Sequence, residues 1–283
     1  MFVFVQGQFV PEDRATVSVF DRGFRYGDAL FEAILVRHGK MFRWMQHAER
    51  LQHSARFLKI PIPYSAGELS AFGHELMARN EVRDGMLRIQ LSRGTGPRGY
   101  APSSHEKPFI VMSIHPAPTR SDLTGVTWKL CTSSFRMAAG DPLANHKTCN
   151  RLLQICAAVE ARDLGVDEAI LLNTNGEITE GSTTNVFWVE NGAVCTPPLA
   201  AGALPGVTRR IVLDLCDALG IPRAERNIQG PSLKQVEAVF LSLSSRGIVE
   251  AESLDDVPLR HSTLTKQLQK EFEALLEREC SPS

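Results

Sequence analysis

A polar, proline-rich stretch is the feature that most constrains how this chain of 283 residues can fold. The stretch, HPAPTRSD at residues 115–122, separates two longer runs of regular sequence pattern. Proline fixes φ and lacks the backbone N–H, so neither a helix nor a central strand is expected to continue through it. We therefore predict two domains, residues 1–118 and 119–283. The cleft between two domains is a common ligand site.

The part before this stretch combines β-hairpin patterns with helical patterns. Short apolar runs bounded by turn residues predict strands at residues 2–5, 8–10, 30–36, 41–44, 86–92 and 109–114. Apolar residues that recur at intervals of three and four predict helices at residues 46–58 and 66–80.

The part after the stretch mixes the same two patterns, with more hairpins. Strands are predicted at residues 126–131, 168–172, 177–180, 185–189, 193–195 and 236–241. Helices are predicted at residues 150–164, 207–219 and 264–276. The fold class is therefore α/β (α+β), with two domains of which the second is rich in antiparallel hairpins.

Composition excludes several classes of function. The net charge is -1, so the chain lacks the basic excess expected of a protein that binds nucleic acid or an acidic membrane surface. No apolar run approaches the roughly 18 residues of a membrane helix. The six cysteines are scattered, which is poor spacing for a metal site or a disulfide framework. We expect a cytoplasmic protein with reduced thiols and no metal.

A lone lysine stands out in NHKTCN at residues 145–150, just before an apolar helical pattern. Arginine is the commoner basic residue in this chain, so Lys147 is unusual. If the amine is buried, its pKa falls and it becomes nucleophilic, as Schiff-base chemistry requires. The alternative is a solvated lysine near the start of a helix.

A carboxylate stands out in EGSTTN at residues 180–185, where small residues let the backbone approach a ligand. Strand alternation would place Ile178 and Glu180 on one face, so a buried Glu180 would need a partner. A protonated ring nitrogen of a cofactor is one such partner. The alternative is a surface salt bridge at a strand end.

Phosphate-binding groups are predicted where LPGVTR at residues 204–209 opens a helix. Free N–H groups and the positive end of the helix attract anions there, with Val207 and Thr208 as the candidate contacts. Arg50 can add a charge-assisted hydrogen bond, and Ser244 offers a hydroxyl at a strand end. A routine helix start and a solvated arginine are the alternatives.

The segment GTGPRG at residues 94–99 matches a dinucleotide-binding pattern literally. We reject that reading because the following residues, YAPSS, do not start a helix. A loop that carries Arg98 and Tyr100 over a cleft fits better, and Arg98 can bind a substrate carboxylate. An exposed turn is the alternative.

Taken together and in this order, these segments resemble the class IV aminotransferase family, also called fold-type IV. D-amino-acid aminotransferases, branched-chain aminotransferases, (R)-amine transaminases and aminodeoxychorismate lyases share this framework. The resemblance covers nearly the whole chain and rests on residues 21–28, 47–51, 93–100, 146–150, 179–185 and 206–209.

The resemblance implies pyridoxal 5′-phosphate held by Lys147 as a Schiff base, with Glu180 at the ring nitrogen. It places the phosphate among Arg50, Val207, Thr208 and Ser244. Lys147 would also move a proton between the substrate α carbon and the cofactor. The family fold implies a small N-terminal α/β domain, a larger C-terminal domain and a homodimer.

The resemblance implies transfer of an amino group from a small amino acid, with D-stereochemistry favoured, to a 2-oxo acid. Phe31, Arg98 and Tyr100 are the implied substrate contacts. Two departures bear on this, because D-amino-acid aminotransferases have tyrosine at the Phe31 position and histidine at the Tyr100 position. Two segments, Arg98-Gly99-Tyr100 and Lys147 with Asn150-Arg151-Leu152, instead resemble aminodeoxychorismate lyases, which release pyruvate and 4-aminobenzoate. Phe31 cannot donate a hydrogen bond, so the substrate carboxylate must rely on Arg98, Tyr100 or Arg25.

Overall fold

The computed structural model describes residues 1–103, 105–118 and 125–281, which form two compact units. Unit 1 holds Met1–Ala117, Lys147–Asn150 and the residues from Arg278 onward, and unit 2 holds Pro118–His146 and Arg151–Glu277. Residues 119–122 of the proline-rich stretch lie outside the described residues. The domain boundary after residue 118 therefore stays a prediction.

Unit 1 is built on an antiparallel sheet. Its strands are β1 (Phe2–Val5), β2 (Gln8–Pro11), β3 (Ala29–Arg37), β4 (Lys40–Met41), β5 (Gly85–Ser92) and β6 (Phe109–His115). Its helices are α1 (Arg22–Tyr26), α2 (Trp44–Leu58) and α3 (Ala66–Arg79). Within the described residues, the strand order is β2-β1-β6-β5-β3-β4.

One face of this sheet forms the core of unit 1. Leu30, Ile34 and Val36 alternate along β3 and are buried together with Leu51 of α2 and Leu76 of α3. Burial of such side chains contributes about 1.5–3 kcal/mol each, so the apolar face fixes the register of β3. The intervening residues of β3 are thereby directed to the opposite face.

The two long helices of unit 1 start and stop where local chemistry requires. Ser65 caps α3 through a reciprocal pair of hydrogen bonds with Glu68. Lys59 ends α2 in the left-handed conformation, with φ of 54°, and its N–H returns to the carbonyl of Ala55. The predicted helices at 46–58 and 66–80 are confirmed.

Unit 2 is built on a larger mixed sheet. Its strands are β7 (Thr127–Met137), β8 (Glu168–Asn173), β9 (Ile178–Gly181), β10 (Asn185–Glu190), β11 (Ala193–Thr196), β12 (Arg223–Glu225), β13 (Ala238–Leu243), β14 (Gly247–Leu254) and β15 (Val257–Pro258). Its helices are α4 (Leu152–Asp163), α5 (Val207–Leu219) and α6 (Thr263–Cys280), of which the residues from Arg278 group with unit 1. Among the described residues the order is β12-β11-β10-β13-β14-β7-β8-β9, with β15 beside β14.

Most neighbours in this second sheet are antiparallel, but β14 with β7, β7 with β8, and β11 with β12 run parallel. The fold class predicted from the sequence, a mixed α/β protein with many antiparallel hairpins, is confirmed. The predicted strand at 41–44 is wrong in part, because Arg43 adopts a φ of 56° and Trp44 begins α2. Strands β12, β14 and β15 and helix α1 were not predicted.

None of the helices in the described parts of the chain has both the length and the apolar character that a membrane crossing needs. The same parts contain no group of three or more His, Cys, Asp or Glu side chains placed to hold a metal ion.

Candidate active site

Backbone hydrogen bonds hold Lys147 at the edge of β3. The N–H of Phe31 donates to the carbonyl of Lys147 at 3.0 Å, and the N–H of Cys149 donates to the carbonyl of Ala29 at 2.8 Å. This edge is open to the segment because β4 pairs only with the last two residues of β3. A bare strand edge presents N–H and C=O groups that need partners, and residues 147–149 supply them.

The ring of Phe31 brings a lysine and an arginine together in unit 1. Nζ of half-buried Lys147 lies 4.6 Å from the ring centroid, and the guanidinium carbon of Arg88 lies 4.2 Å from it. Both distances suit a cation–π contact. Sequence analysis alone does not single out Arg88. The only signal for it in the sequence is alternation along β5, which directs Arg88 away from buried Leu87 and Ile89.

A buried ion pair joins β3 to α2, and its carboxylate belongs to Glu32, the residue directly after Phe31. Nε of Arg50 donates to Oε1 of Glu32 at 2.8 Å, and Nη2 donates to Oε2 at 2.6 Å. Nδ1 of His47 also lies 2.7 Å from Oε2. Glu32 and His47 are only 1% and 2% exposed, so the carboxylate depends on these partners for its solvation.

The electrostatics of this group follow from its burial and its charges. Burial raises the pKa of Glu32, but the charge and hydrogen bonds of Arg50 and the bond to His47 outweigh it and lower the pKa to about 2. Burial lowers the pKa of His47, against the opposing effect of Glu32. Glu32 is therefore an anion at neutral pH, and His47 donates to it as neutral imidazole.

The pair with Glu32 limits how Arg50 can serve as the predicted phosphate contact. Nε and Nη2 both donate to the carboxylate of Glu32, so that carboxylate sets the orientation of the guanidinium toward any anion. Glu32 was not predicted as a site residue. Two features of the sequence could have indicated Glu32. It is a glutamate among the alternating apolar residues of β3, and His47 and Arg50 follow one turn apart on a helix.

Arg98 and Tyr100 lie in an exposed loop of unit 1, and the side chain of Tyr100 is 86% exposed. The loop opens at Gly94, which has a φ of 94° and where any Cβ would overlap the carbonyl of Lys107. Close backbone approach, rather than nucleotide binding, accounts for this glycine. The residues that follow form bends and no helix, which agrees with the rejection of the dinucleotide motif.

Glu180 is a buried carboxylate of unit 2, 5% exposed, on β9. Its Oε2 accepts a hydrogen bond from the N–H of Leu204 at 2.9 Å. Nδ2 of Asn185 donates to the carbonyl of the same Leu204 at 2.8 Å. These bonds connect the turn that leads into α5 with β9 and β10, so the carboxyl group of Glu180 is held in place inside unit 2 and is not a surface group.

The prediction that Ile178 and Glu180 lie on the same face of their strand is wrong. The register pairs Ile178 with Leu172 and Glu180 with Leu171, because a β-bulge at Thr179 interrupts the alternation. Neighbouring residues of β8 point to opposite faces, so Ile178 and Glu180 do as well. A bulge of one residue is invisible in the sequence pattern, and it redirects the carboxylate.

Helix α5 begins where the sequence places a phosphate site. Its N-cap is Gly206, which supplies no side-chain cap to the first N–H groups of the helix. Val207 and Thr208 follow and are 7% and 5% exposed. Ser244, the other predicted contact in unit 2, lies in the turn after β13 and is half-buried.

These groups match pyridoxal phosphate by the chemistry of their donors. A primary amine suits an aldehyde, a buried carboxylate suits a protonated ring nitrogen, and uncapped N–H groups with hydroxyls suit a phosphate. Unit 1 holds the amine, and unit 2 holds the carboxylate and the helix start. Each unit, taken by itself, thus carries chemistry of a kind that pyridoxal phosphate requires of a protein.

The amino-transferase class IV family matches residues 29–254, and the chain belongs to this family. Aminotransferases of this class use pyridoxal 5′-phosphate. The predicted family and cofactor are confirmed, and the chain is a pyridoxal-phosphate-dependent transaminase by class.

Two relatives cover nearly the full length of the chain. A protein of Methanocaldococcus jannaschii, assigned provisionally as a branched-chain-amino-acid aminotransferase, is 33% identical over 96% of this chain and 95% of its own length. A D-alanine aminotransferase of Staphylococcus epidermidis is 30% identical over 97% of this chain and 98% of its own. The names of the two relatives therefore specify different amino acids, branched-chain amino acids in one case and D-alanine in the other.

A solved structure shows the same fold. The 4-amino-4-deoxychorismate lyase of Pseudomonas aeruginosa aligns with a TM-score of 0.87 at 31% identity, over 97% of this chain and 99% of that one. The fold is therefore common to enzymes whose names specify amino-group transfer and to one whose name specifies a lyase.

Glu32→Gln tests whether the charge of Glu32 stabilises the fold. The folded pKa of about 2 lies below the ordinary value of 4.5, so the unfolded chain binds this proton more readily. The stabilisation is complete above pH 4.5 and is lost as the pH falls toward 2. By urea denaturation across this window, the wild type should lose about 3 kcal/mol of unfolding free energy that Glu32→Gln does not lose.

Glu49→Gln is the matched control, because Glu49 is an exposed carboxylate on the same helix as Arg50, α2. This variant should keep the pH dependence of the wild type. Equal pH dependence in the wild type and Glu32→Gln would contradict the account of the ion pair.

Proposed function

We propose that the chain transfers the amino group of a small amino acid to a 2-oxo acid, with Lys147 as the residue that holds the cofactor. The contact of Lys147 and Arg88 with one ring, that of Phe31, carries the proposal. An amino acid presents an amine and a carboxylate on adjacent atoms. A lysine that exchanges with the amine, beside a guanidinium that binds the carboxylate, matches that arrangement.

The cofactor, when bound, supplies an electron sink for the bond that breaks at the substrate α carbon. We assign the remaining work to side chains of this chain. Nζ of Lys147 accepts the α proton and returns it. Backbone hydrogen bonds to β3 fix the position of this residue, which keeps the amine in place for both transfers. Glu180, whose carboxyl group is held by the N–H of Leu204, would bind the ring nitrogen of the cofactor and favour its protonated form.

Phosphate binding is assigned to five groups. They are the N–H groups of Val207 and Thr208, the hydroxyls of Thr208 and Ser244, and the guanidinium of Arg50. The uncapped start of α5 supports the first two, since its N–H groups have no side-chain cap to accept them. The orientation of Arg50 is set by Glu32, which binds two of its nitrogens.

Two arginines can bind the substrate carboxylate. Arg88 lies at the ring of Phe31, and Arg98 lies in the exposed loop beside Tyr100. We assign Arg88 to the carboxylate that lies next to the reacting amine, and we keep Arg98 and Tyr100 of the loop as further proposed contacts of the substrate. Phe31 cannot donate to it, so the guanidinium supplies the hydrogen bonds instead.

For the substrate, we favour a D-amino acid. Arg98 occupies the loop position that D-amino-acid aminotransferases use, and a D-alanine aminotransferase is 30% identical over 97% of this chain. The lyase is the second candidate, supported by Tyr100 after Arg98 and by the 31% identity to the Pseudomonas aeruginosa enzyme. A cytoplasmic homodimer is proposed on the family resemblance alone, and sedimentation equilibrium would measure the assembly.

The enantiomer can be read from the visible absorbance of the purified protein with its cofactor. We expect D-alanine to remove the band of the bound cofactor and a 2-oxo acid to restore it, while L-leucine and L-alanine leave it in place. Loss of the band with an L-amino acid alone would contradict the D assignment and favour the branched-chain class. A band that no amino acid changes, with pyruvate released from aminodeoxychorismate, would favour the lyase.

Arg88→Met tests the carboxylate contact. Removing a charge-assisted bond should raise KM for the amino acid about tenfold or more, and the absorbance of the bound cofactor should stay unchanged. Gln90→Met is the matched control, since Gln90 lies on the same strand as Arg88, pairs with Phe31 and is half-buried. An unchanged KM in Arg88→Met, with a raised KM in Arg98→Met, would move the contact to the loop.

A further inference from the structure

Arg22 binds both ends of the loop that carries Arg98. Its backbone N–H donates to the carbonyl of Gly94 at 2.8 Å, where the loop begins. Its side chain reaches the other end, where Nη1 donates to the carbonyl of Gly99 at 3.0 Å and Nη2 to that of Tyr100 at 2.6 Å. The two carbonyls directly after Arg98 are therefore held by one guanidinium.

Arg22 is itself held in place by buried charge. It is 2% exposed, and its Nε donates to Oδ2 of Asp28 at 2.8 Å. Arg93 donates to both oxygens of the same carboxylate, at 2.7 and 3.0 Å. Burial raises the pKa of Asp28, but the hydrogen bonds and charges of Arg93 and Arg22 outweigh it and lower the pKa. Asp28 is thus an anion at neutral pH, and it fixes the guanidinium of Arg22.

Tyr26 adds a second contact to the same end of the loop. The N–H of Gly99 donates to its hydroxyl oxygen at 3.2 Å, and its ring meets the ring of Tyr100 edge to face, with centroids 5.7 Å apart. The guanidinium carbon of Arg22 lies 5.1 Å from the centroid of the Tyr26 ring. Arg22 therefore supports the loop directly through the two carbonyls and indirectly through Tyr26.

We propose that Arg22, fixed by Asp28, is a positioning residue that latches the 94–100 loop and so sets where Arg98 and Tyr100 meet the substrate. The proposal rests on the proposed function for its substrate part only. The hydrogen bonds from Arg22 go to backbone carbonyls of the loop, so they fix the path of the chain, while Arg98 and Tyr100 are exposed. Carbonyls in a loop have no sheet partner, and a guanidinium with several donors in a fixed fork can bind two of them at once.

Local opening of the loop is measured by tryptic cleavage after Arg98 under native conditions, followed by mass spectrometry. Arg22→Met removes both bonds to the loop and should speed this cut about tenfold or more. Arg22→Lys keeps a cation for Asp28, but one ammonium cannot replace the fork, so it should also open the loop with less loss of stability. Arg22→Lys keeps the test valid if Arg22→Met fails to fold.

Arg209→Met is the matched control for general destabilisation. Arg209 is a buried arginine of unit 2, 5% exposed, that binds the carbonyl of Pro197 and the carboxylate of Glu225. It should lower the unfolding temperature without speeding the cut after Arg98. Wild-type cleavage rates in both Arg22 variants, or an equal acceleration in Arg209→Met, would overturn the latch.

Kinetics separate the latch from the substrate role of the loop. Arg22→Lys should raise KM for the amino acid more than it lowers kcat, and adding Arg98→Met should raise KM no further than Arg98→Met alone. A loop that opens without any change in KM would keep the latch and contradict the part of the proposed function that places Arg98 at the substrate. A loop that stays closed overturns the latch whatever the kinetics show.

Discussion

The attachment of residues 147–149 to the free edge of β3 is the constraint on which the candidate site depends. Two backbone hydrogen bonds place Lys147 beside Phe31, although 116 residues of sequence separate them (147 − 31). The short β4 leaves that part of the edge open, and the apolar face of β3 fixes the register in the core of unit 1. A lysine on a flexible segment would lose the alignment that proton transfer at one carbon demands.

Buried charge sets the remaining geometry of unit 1. Glu32 orients Arg50, and Asp28 orients Arg22, in both cases through a carboxylate that binds two cationic or polar partners. Compared with well-packed apolar residues of similar size, pairs of this kind contribute little net stability, since desolvation offsets much of the attraction, but neutralising one partner is costly. Their effect is directional, because an arginine whose Nε is committed to a carboxylate presents its other donors at a fixed angle.

The sequence predicted most of the elements because apolar periodicity and turn residues are local signals, as for α3 with its Ser65 cap and α5 with its start at Val207. It misplaced the end of β4 and missed the bulge at Thr179 and the partners of Arg50. A bulge changes the face of Glu180 without changing composition, and the Glu32–Arg50 pair joins residues of two elements. Lys147 and Glu180 were predicted as site residues from a set of motifs that lie far apart in the sequence. Arg88 becomes a candidate only when its contact with Phe31 is known.

Reduction of the purified holoenzyme with borohydride, followed by peptide mass spectrometry, tests the central claim most directly. Reduction makes the bond between the cofactor and its lysine permanent. The chain has eight lysines, so the identity of the modified lysine distinguishes Lys147 from seven others. The account predicts a single modified peptide, with the cofactor on Lys147. Modification of another lysine, or of none after incubation with pyridoxal 5′-phosphate, would contradict it.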